Sequence, residues 1–203
     1  VERDNIVIDG NEHMLQSPTS IQHTMGFNLS NVNKVTVRRV TVTGFYWGIF
    51  LYNASDNTIV SNLIMGKNHY DSPYGILLNE AFNNTIAINI ITDCRNAVTF
   101  WHSNNNEVSN NMLTNGRGGI GMYQSSNNRI KGNKVIYMEE GISLETLSNN
   151  NLISNNTIRF VAGSIDSDAI DLYWSHNNTV VNNNITDNRR GLALVLSLIH
   201  ISE

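Results

Sequence analysis

Two acidic residues have the spacing on which chemistry in this sequence would depend. Glu145 stands three residues after Ile142, and Asp171 one residue after Ile170, in two neighbouring segments of the same pattern. On adjacent strands with the same face outward, one strand spacing and two residues separate them by roughly 8 Å. A general acid and a general base working across a water molecule in inverting glycosidases lie about 6.5 to 9.5 Å apart, so this pair could move protons at a glycosidic bond. Asp168 could hold the substrate or replace one partner, and Glu140 stands at the equivalent place one segment earlier. Arg117, aligned with Arg95, could bind a sugar carboxylate or stabilise an anionic intermediate. Taken singly, each of these residues is also the ordinary content of a solvated turn.

Flat rings are the second chemical feature. Tyr52, Asn79, Trp101, Tyr123, Glu145 and Tyr173 share one position of the pattern, three residues after an aliphatic. Outward Trp101, Tyr123 and Tyr173 would offer apolar faces to a sugar ring, with Asn79 and His102 as hydrogen-bonding neighbours. The competing reading is that such rings suit exposed strands, where cross-strand pairs contribute about 0.2 to 1 kcal/mol. A Gly or Ala always precedes the strand's first aliphatic, which would leave room beside the rings unless the turn itself demands it. His13, His23, His69, His102, His176 and His200 are scattered, with no close pair and no Met-rich run, so no metal or cofactor is expected. Cys94 stands alone and reads as a buried thiol.

These residues need an element that stacks equivalent positions, and the sequence supplies one. Gly26-Phe27, Gly48-Ile49, Gly75-Ile76, Ala97-Val98, Gly119-Ile120, Gly141-Ile142, Ala169-Ile170 and Gly191-Leu192 recur at intervals of 22, 27, 22, 22, 22, 28 and 22. The 34 asparagines are not spread at random, for two sets keep the same phase. One is Asn57, Asn84, Asn106, Asn128, Asn151 and Asn178; the other is Asn62, Asn89, Asn111, Asn133, Asn156 and Asn183. Between them lie short β-branched strands of period two and polar turns. One coil cannot cover its own apolar face. Stacking at about 4.8 Å pairs its backbone with the next coil, joins the aliphatics into one core and sets the asparagine amides one above another. The pattern predicts an all-β, right-handed parallel β-helix of about eight coils with a 22-residue repeat. It forms one domain over residues 1–195. Residues 196–203 leave the repeat and read as a non-repeat tail, similar to a translated adapter frame. The missing initial Met and the strand at the very start predict that natural ends are absent.

The two long coils each hold five extra residues, at about 66–73 and 161–168, in the same arc before the first strand. As loops four coils apart they would wall a groove roughly 19 Å long, floored by the position that carries the rings. Composition narrows the partners. A net charge of −4 without a basic run excludes the usual footprint of a nucleic-acid binder. No apolar stretch reaches the roughly 18 residues that span a bilayer.

The Gly-Ile-x-Leu, Asn-Asn-Thr-Ile and Asn-x-Ile pattern resembles the parallel β-helix repeats of pectin-lyase-like enzymes. It is equally similar to the periplasmic proteins that help mature the copper site of nitrous oxide reductase. The resemblance runs over about residues 5–195 and implies a secreted, cell-surface or periplasmic setting. Motifs that mark particular activities do not carry over. Of the polygalacturonase-like elements only Arg129-Ile130-Lys131 is present, in the wrong strand, and the Asp-Pro-His of alginate epimerases is absent. Asp166, Asp168 and Asp171 are a loose equivalent of a pectate-lyase acidic cluster. Two functions remain open. One is an extracytoplasmic module that binds or processes a polysaccharide or oligosaccharide, acidic ones included, as a lyase or glycoside hydrolase would. The alternative is a non-catalytic surface or periplasmic accessory module.

Overall fold

The computed structural model describes residues 1–18, 23–67, 74–163 and 167–202, the last four by backbone alone. Among them there is no helix, and every strand pair is parallel. Three strands make a coil. Thr85–Ala87, Ile90–Thr92 and Asn96–Trp101 are one set, and each pairs with its equivalent in the coils above and below. The longest strands line one sheet in the order Met25–Ser30, Trp47–Tyr52, Tyr74–Asn79, Asn96–Trp101, Met112–Tyr123, Lys134–Glu145, Asp168–Tyr173 and Arg190–Val195, which gives eight coils. In the fifth and sixth, twelve residues run unbroken around the corner from the preceding sheet.

The core follows from the pattern of apolar residues. Ile49 and Leu51, Ile76 and Leu78, Val98 and Phe100, Ile120 and Met122, Ile142 and Leu144, and Ile170 and Leu172 all point inward and are almost completely buried. Ile59, Ile86, Val108, Ile130 and Ile153 close the core from the second sheet, and Ile64, Ile91, Leu113, Val135 and Ile158 from the third. Both asparagine sets form buried ladders. The Oδ1 of Asn128 accepts from the backbone N–H of Asn106 at 2.8 Å and from its Nδ2 at 3.2 Å, while Asn106 Nδ2 also donates to the carbonyl of Ala81 at 2.9 Å. The second set repeats the arrangement from Asn62 to Asn183. Each turn thus satisfies polar groups that a narrow core leaves without water.

The small residue before each strand's first aliphatic does not serve to leave room beside the rings. A Cβ on Gly48 would lie 2.8 Å from Ile64 Cγ2 and 2.5 Å from the carbonyl oxygen of Gly75, and one on Gly119 2.6 Å from Val135 Cγ1. The position faces the core, so it makes no room beside the outward rings. Beyond residue 195 the register continues. Ser197 takes the place of Ser175 one coil on, and Ile199–Ser202 lies parallel to Asn178–Val181.

Candidate functional site

On the long-stranded sheet the outward positions form columns that change character along the axis. The column three residues after the first aliphatic runs Tyr52, Asn79, Trp101, Tyr123, Glu145 and Tyr173 in unbroken register. The next column inward on the same face runs Phe50, Leu77, Thr99, Gly121, Ser143 and Asp171. Aromatics dominate the first coils. Trp47, Phe50 and Tyr52 form a chain of ring contacts with centroids 5.1 and 6.3 Å apart, and Tyr74 meets Trp101 edge to face at 6.3 Å. Carboxylates enter in the sixth and seventh coils, at Glu145 and Asp171.

Between these halves lies a cleft of about 330 Å³ lined by Thr99, Trp101, His102, Tyr123 and Glu145. Trp101 and Tyr123 are each 41% exposed, which confirms that the parity read from sequence turns them outward. Gly121, next to Thr99 in register, leaves the outward face bare beside the cleft. A Cβ placed there would meet nothing within 4 Å, and its φ is not left-handed, so neither packing nor backbone requires glycine. Thr99 beside it is buried, and its hydroxyl has no hydrogen-bond partner. His102 follows the strand in a left-handed turn (φ 50°) and packs edge to face on Tyr123 at 6.3 Å.

A ladder of serines fixes the ends of these strands. Ser103, Ser125, Ser148 and Ser175 each accept, through Oγ, the backbone N–H of the residue one coil earlier. Each donates to the carbonyl of the outward residue in its own coil: Trp101 at 2.8 Å, Tyr123 at 2.9 Å, Glu145 at 2.7 Å and Tyr173 at 3.0 Å. The backbone that carries the rings and the carboxylate is therefore fixed by hydrogen bonds immediately after it.

The cleft adjoins a smaller pocket of about 130 Å³ lined by Glu140, Ser143, Glu145, Asp168 and Asp171. Glu145 and Asp171 share it, and Ser143, paired in register with Asp171, donates to Glu145 Oε1 at 3.2 Å. Burial, aided by the charges of Asp168, Glu145 and Glu140, pushes the Asp171 carboxyl up to about 6. Burial also raises Glu140, against the pull of Arg117. Asp168 is 5% exposed and held by Arg190, whose Nε and one terminal nitrogen reach its two oxygens at 2.7 and 2.6 Å. Arg117 stands at the pocket's edge, 3.8 Å from Glu140 and 3.9 Å from Glu139, and is exposed. Tyr173 continues the column past the pocket and stacks on Trp174 at 5.8 Å, and Asn79 extends it the other way. The sequence reading missed Thr99, Gly121, Ser143 and Arg190; the column that holds Thr99, Gly121 and Ser143 was legible from the repeat, but a missing side chain leaves no mark there. The tips of both insertions, 68–73 and 164–166, lie outside the described residues, as do His69, Asp166 and the His200 side chain.

A parallel β-helix with an aromatic and acidic groove on its longest strands defines the class of protein. Residues 65–199 match the family model described as periplasmic copper-binding protein (NosD), and residues 2–113 match that of a right handed beta helix region. The chain belongs to this NosD family of right-handed β-helices. The family's description as periplasmic agrees with the extracytoplasmic setting expected from sequence. No curated protein matches the chain. Similar solved structures include the periplasmic alginate epimerase AlgG (TM-score 0.74, 19% identity, 88% of this chain and 48% of that one). The Azotobacter vinelandii mannuronan C-5 epimerase AlgE4 A-module is another (0.75, 15%, 98% and 56%), as is DFA-IIIase from Arthrobacter chlorophenolicus A6 (0.68, 15%, 86% and 50%). The chain thus spans about half the length of these structures.

The described residues do not fit a copper site. Among the described residues no three His, Cys, Asp or Glu side chains converge to hold a metal ion. The Cys94 thiol is buried and pushed up to about 12, far from the thiolate that a soft metal takes.

Proposed function

We propose that the chain binds a polysaccharide or oligosaccharide in the groove on its longest sheet and that the carboxylate pocket acts on it. The observation that carries this reading is the cleft lined by exposed Trp101 and Tyr123, which shares Glu145 with the carboxylate pocket. A pyranose ring laid in the cleft covers the two aromatic faces with its C–H groups and leaves its hydroxyls to His102 and Glu145 at the rim. The bond to the next sugar then lies toward Glu145 and Asp171. Asp171, protonated below about pH 6, donates its proton to the departing glycosidic oxygen. Glu145, oriented by Ser143, takes a proton from the attacking water. Burial, with the charge of Asp168, holds Asp171 protonated, and Arg190 pairs with Asp168. Arg117 at the edge is available to a sugar carboxylate. The names of two similar structures, epimerases of alginate and of mannuronan, point toward glycans, though at this identity the likeness carries only the fold.

A screen of neutral and acidic polysaccharides with product analysis tests this reading. New reducing ends indicate hydrolysis, and unsaturated ends a lyase reaction through the same residues. Retention without turnover on any glycan favours the second reading, a periplasmic accessory module, which membership in the NosD family supports.

A further inference from the structure

The corner between the third sheet and the long-stranded sheet carries a second aromatic feature, away from the cleft. From the fourth coil on, the residue after the third-sheet segment adopts a left-handed conformation: Asp93 (φ 58°), Asn115 (φ 56°), Tyr137 (φ 57°), Phe160 (φ 58°) and Asp187 (φ 59°). Asn and Asp enter this region at little cost, whereas bulky side chains rarely do. Tyr137 and Phe160 nevertheless occupy it, and their rings stack in parallel with centroids 4.9 Å apart and an angle of 7°. The Arg159 guanidinium lies 4.9 Å from the Phe160 centroid and is pinned by Asp187 at 2.7 Å. The pair is not core. Tyr137 is 59% exposed and Phe160 37%. It borders a recess of about 490 Å³ lined also by Asn115, Gly116, Met138 and Glu139.

We propose that this corner is a second glycan site, which takes the apolar face of a pyranose ring on Tyr137 and its hydroxyls on Asn115 and Glu139. The rigid flat stack suits a sugar's C–H face, and an amide and a carboxylate beside it suit hydroxyl groups. Glu139 links the recess to the groove, since it lies 3.9 Å from Arg117, which in turn is 3.8 Å from Glu140. A polymer long enough to reach both would be held beside the reactive carboxylates at raised local concentration. The proposal rests on the glycan reading of the groove for its ligand class alone.

The test compares wild type, Tyr137→Asn/Phe160→Asn and Trp101→Ala/Tyr123→Ala by electrophoresis through gels cast with xyloglucan, mixed-linkage β-glucan, pectin or alginate, with a melting curve for each protein. Asparagine restores the residue that the turn prefers, so the corner variant should melt no lower than wild type while its retention on long polymer falls at least 5-fold. The groove variant should lose a separate share of retention. Unchanged retention in the corner variant, with loss in the groove variant, overturns the corner site and leaves the groove reading intact. A lower melting temperature with unchanged retention would make the stack structural. A concentration-dependent dimer that disappears in the corner variant would make it a contact between copies and overturn the proposal. Wild type retained by none of the four gels sinks both readings.

Discussion

Asp171 is where chemistry and stability pull in opposite directions. Its carboxyl, pushed up to about 6, binds a proton more tightly in the folded protein than in the unfolded chain, where aspartate titrates near 4. The folded state therefore loses stability as pH rises from about 4 to 6, and the whole penalty is present above 6. Asp171→Asn removes it. At pH 7.5 the variant should be more stable by about 1 kcal/mol, allowing for solvent screening of a half-buried group, and melt roughly 2 to 4 °C higher. The gain should vanish toward pH 4, and a variant that melts lower at pH 7.5 would show that the aspartate charge is compensated. Turnover on any glycan processed should fall at least about 10²-fold in Asp171→Asn and in Glu145→Gln, and the wild-type rate should decline as pH rises through about 6. Retained activity in both variants would place the chemistry elsewhere. The outward rings and this carboxylate pair were legible in the sequence because strand parity, once the aliphatics are placed, leaves them no other face. The Arg190 partner of Asp168 was not, for it depends on how the chain returns from an inserted loop.

At the scale of the element, ladders of buried side chains decide the register, and their contributions can be measured one by one. Asn128→Leu leaves the Asn106 backbone N–H and Nδ2 without their shared acceptor and the Ser103 carbonyl without its donor. Several orphaned groups at about 1 to 3 kcal/mol each should destabilise the protein by on the order of 3 kcal/mol in chemical denaturation. An unchanged midpoint would mean the ladder contributes nothing. The asparagine ladders were readable from spacing alone, since two sets keep phase through both long coils. The serine ladder kept the same phase from Ser103 to Ser197 and went unread, because isolated serines in polar turns resemble any loop. The Gly and Ala positions are legible in sequence with two causes open, room beside the rings or the turn itself: periodicity reveals that a residue must be small, and only the neighbouring coil's carbonyl and the Ile64 or Val135 methyl group reveal why.

For the whole molecule, repetition made the fold plain and the site obscure. A solenoid's stability is close to a sum over coils and their interfaces, so each coil's pattern carries the full instruction for the architecture. Far-ultraviolet circular dichroism should accordingly be β-dominated, and a substantial helical signal would contradict the stacked coils. The candidate site lies where coils differ: Trp101, Tyr123 and Glu145 at one place of three neighbouring coils, with Thr99, Gly121 and Ser143 in the column beside them. Gly121 condenses that difference into one position. Leu77 occupies the same column two coils away, so Gly121→Leu fits the backbone and sets a bulky side chain on the outward face beside Tyr123, at the floor of the proposed groove. The direct measurement is the affinity of wild type and Gly121→Leu for the glycan that the screen retains, with melting curves for both. The groove account predicts at least a 10-fold weaker affinity at an unchanged melting temperature, and equal affinities would contradict it.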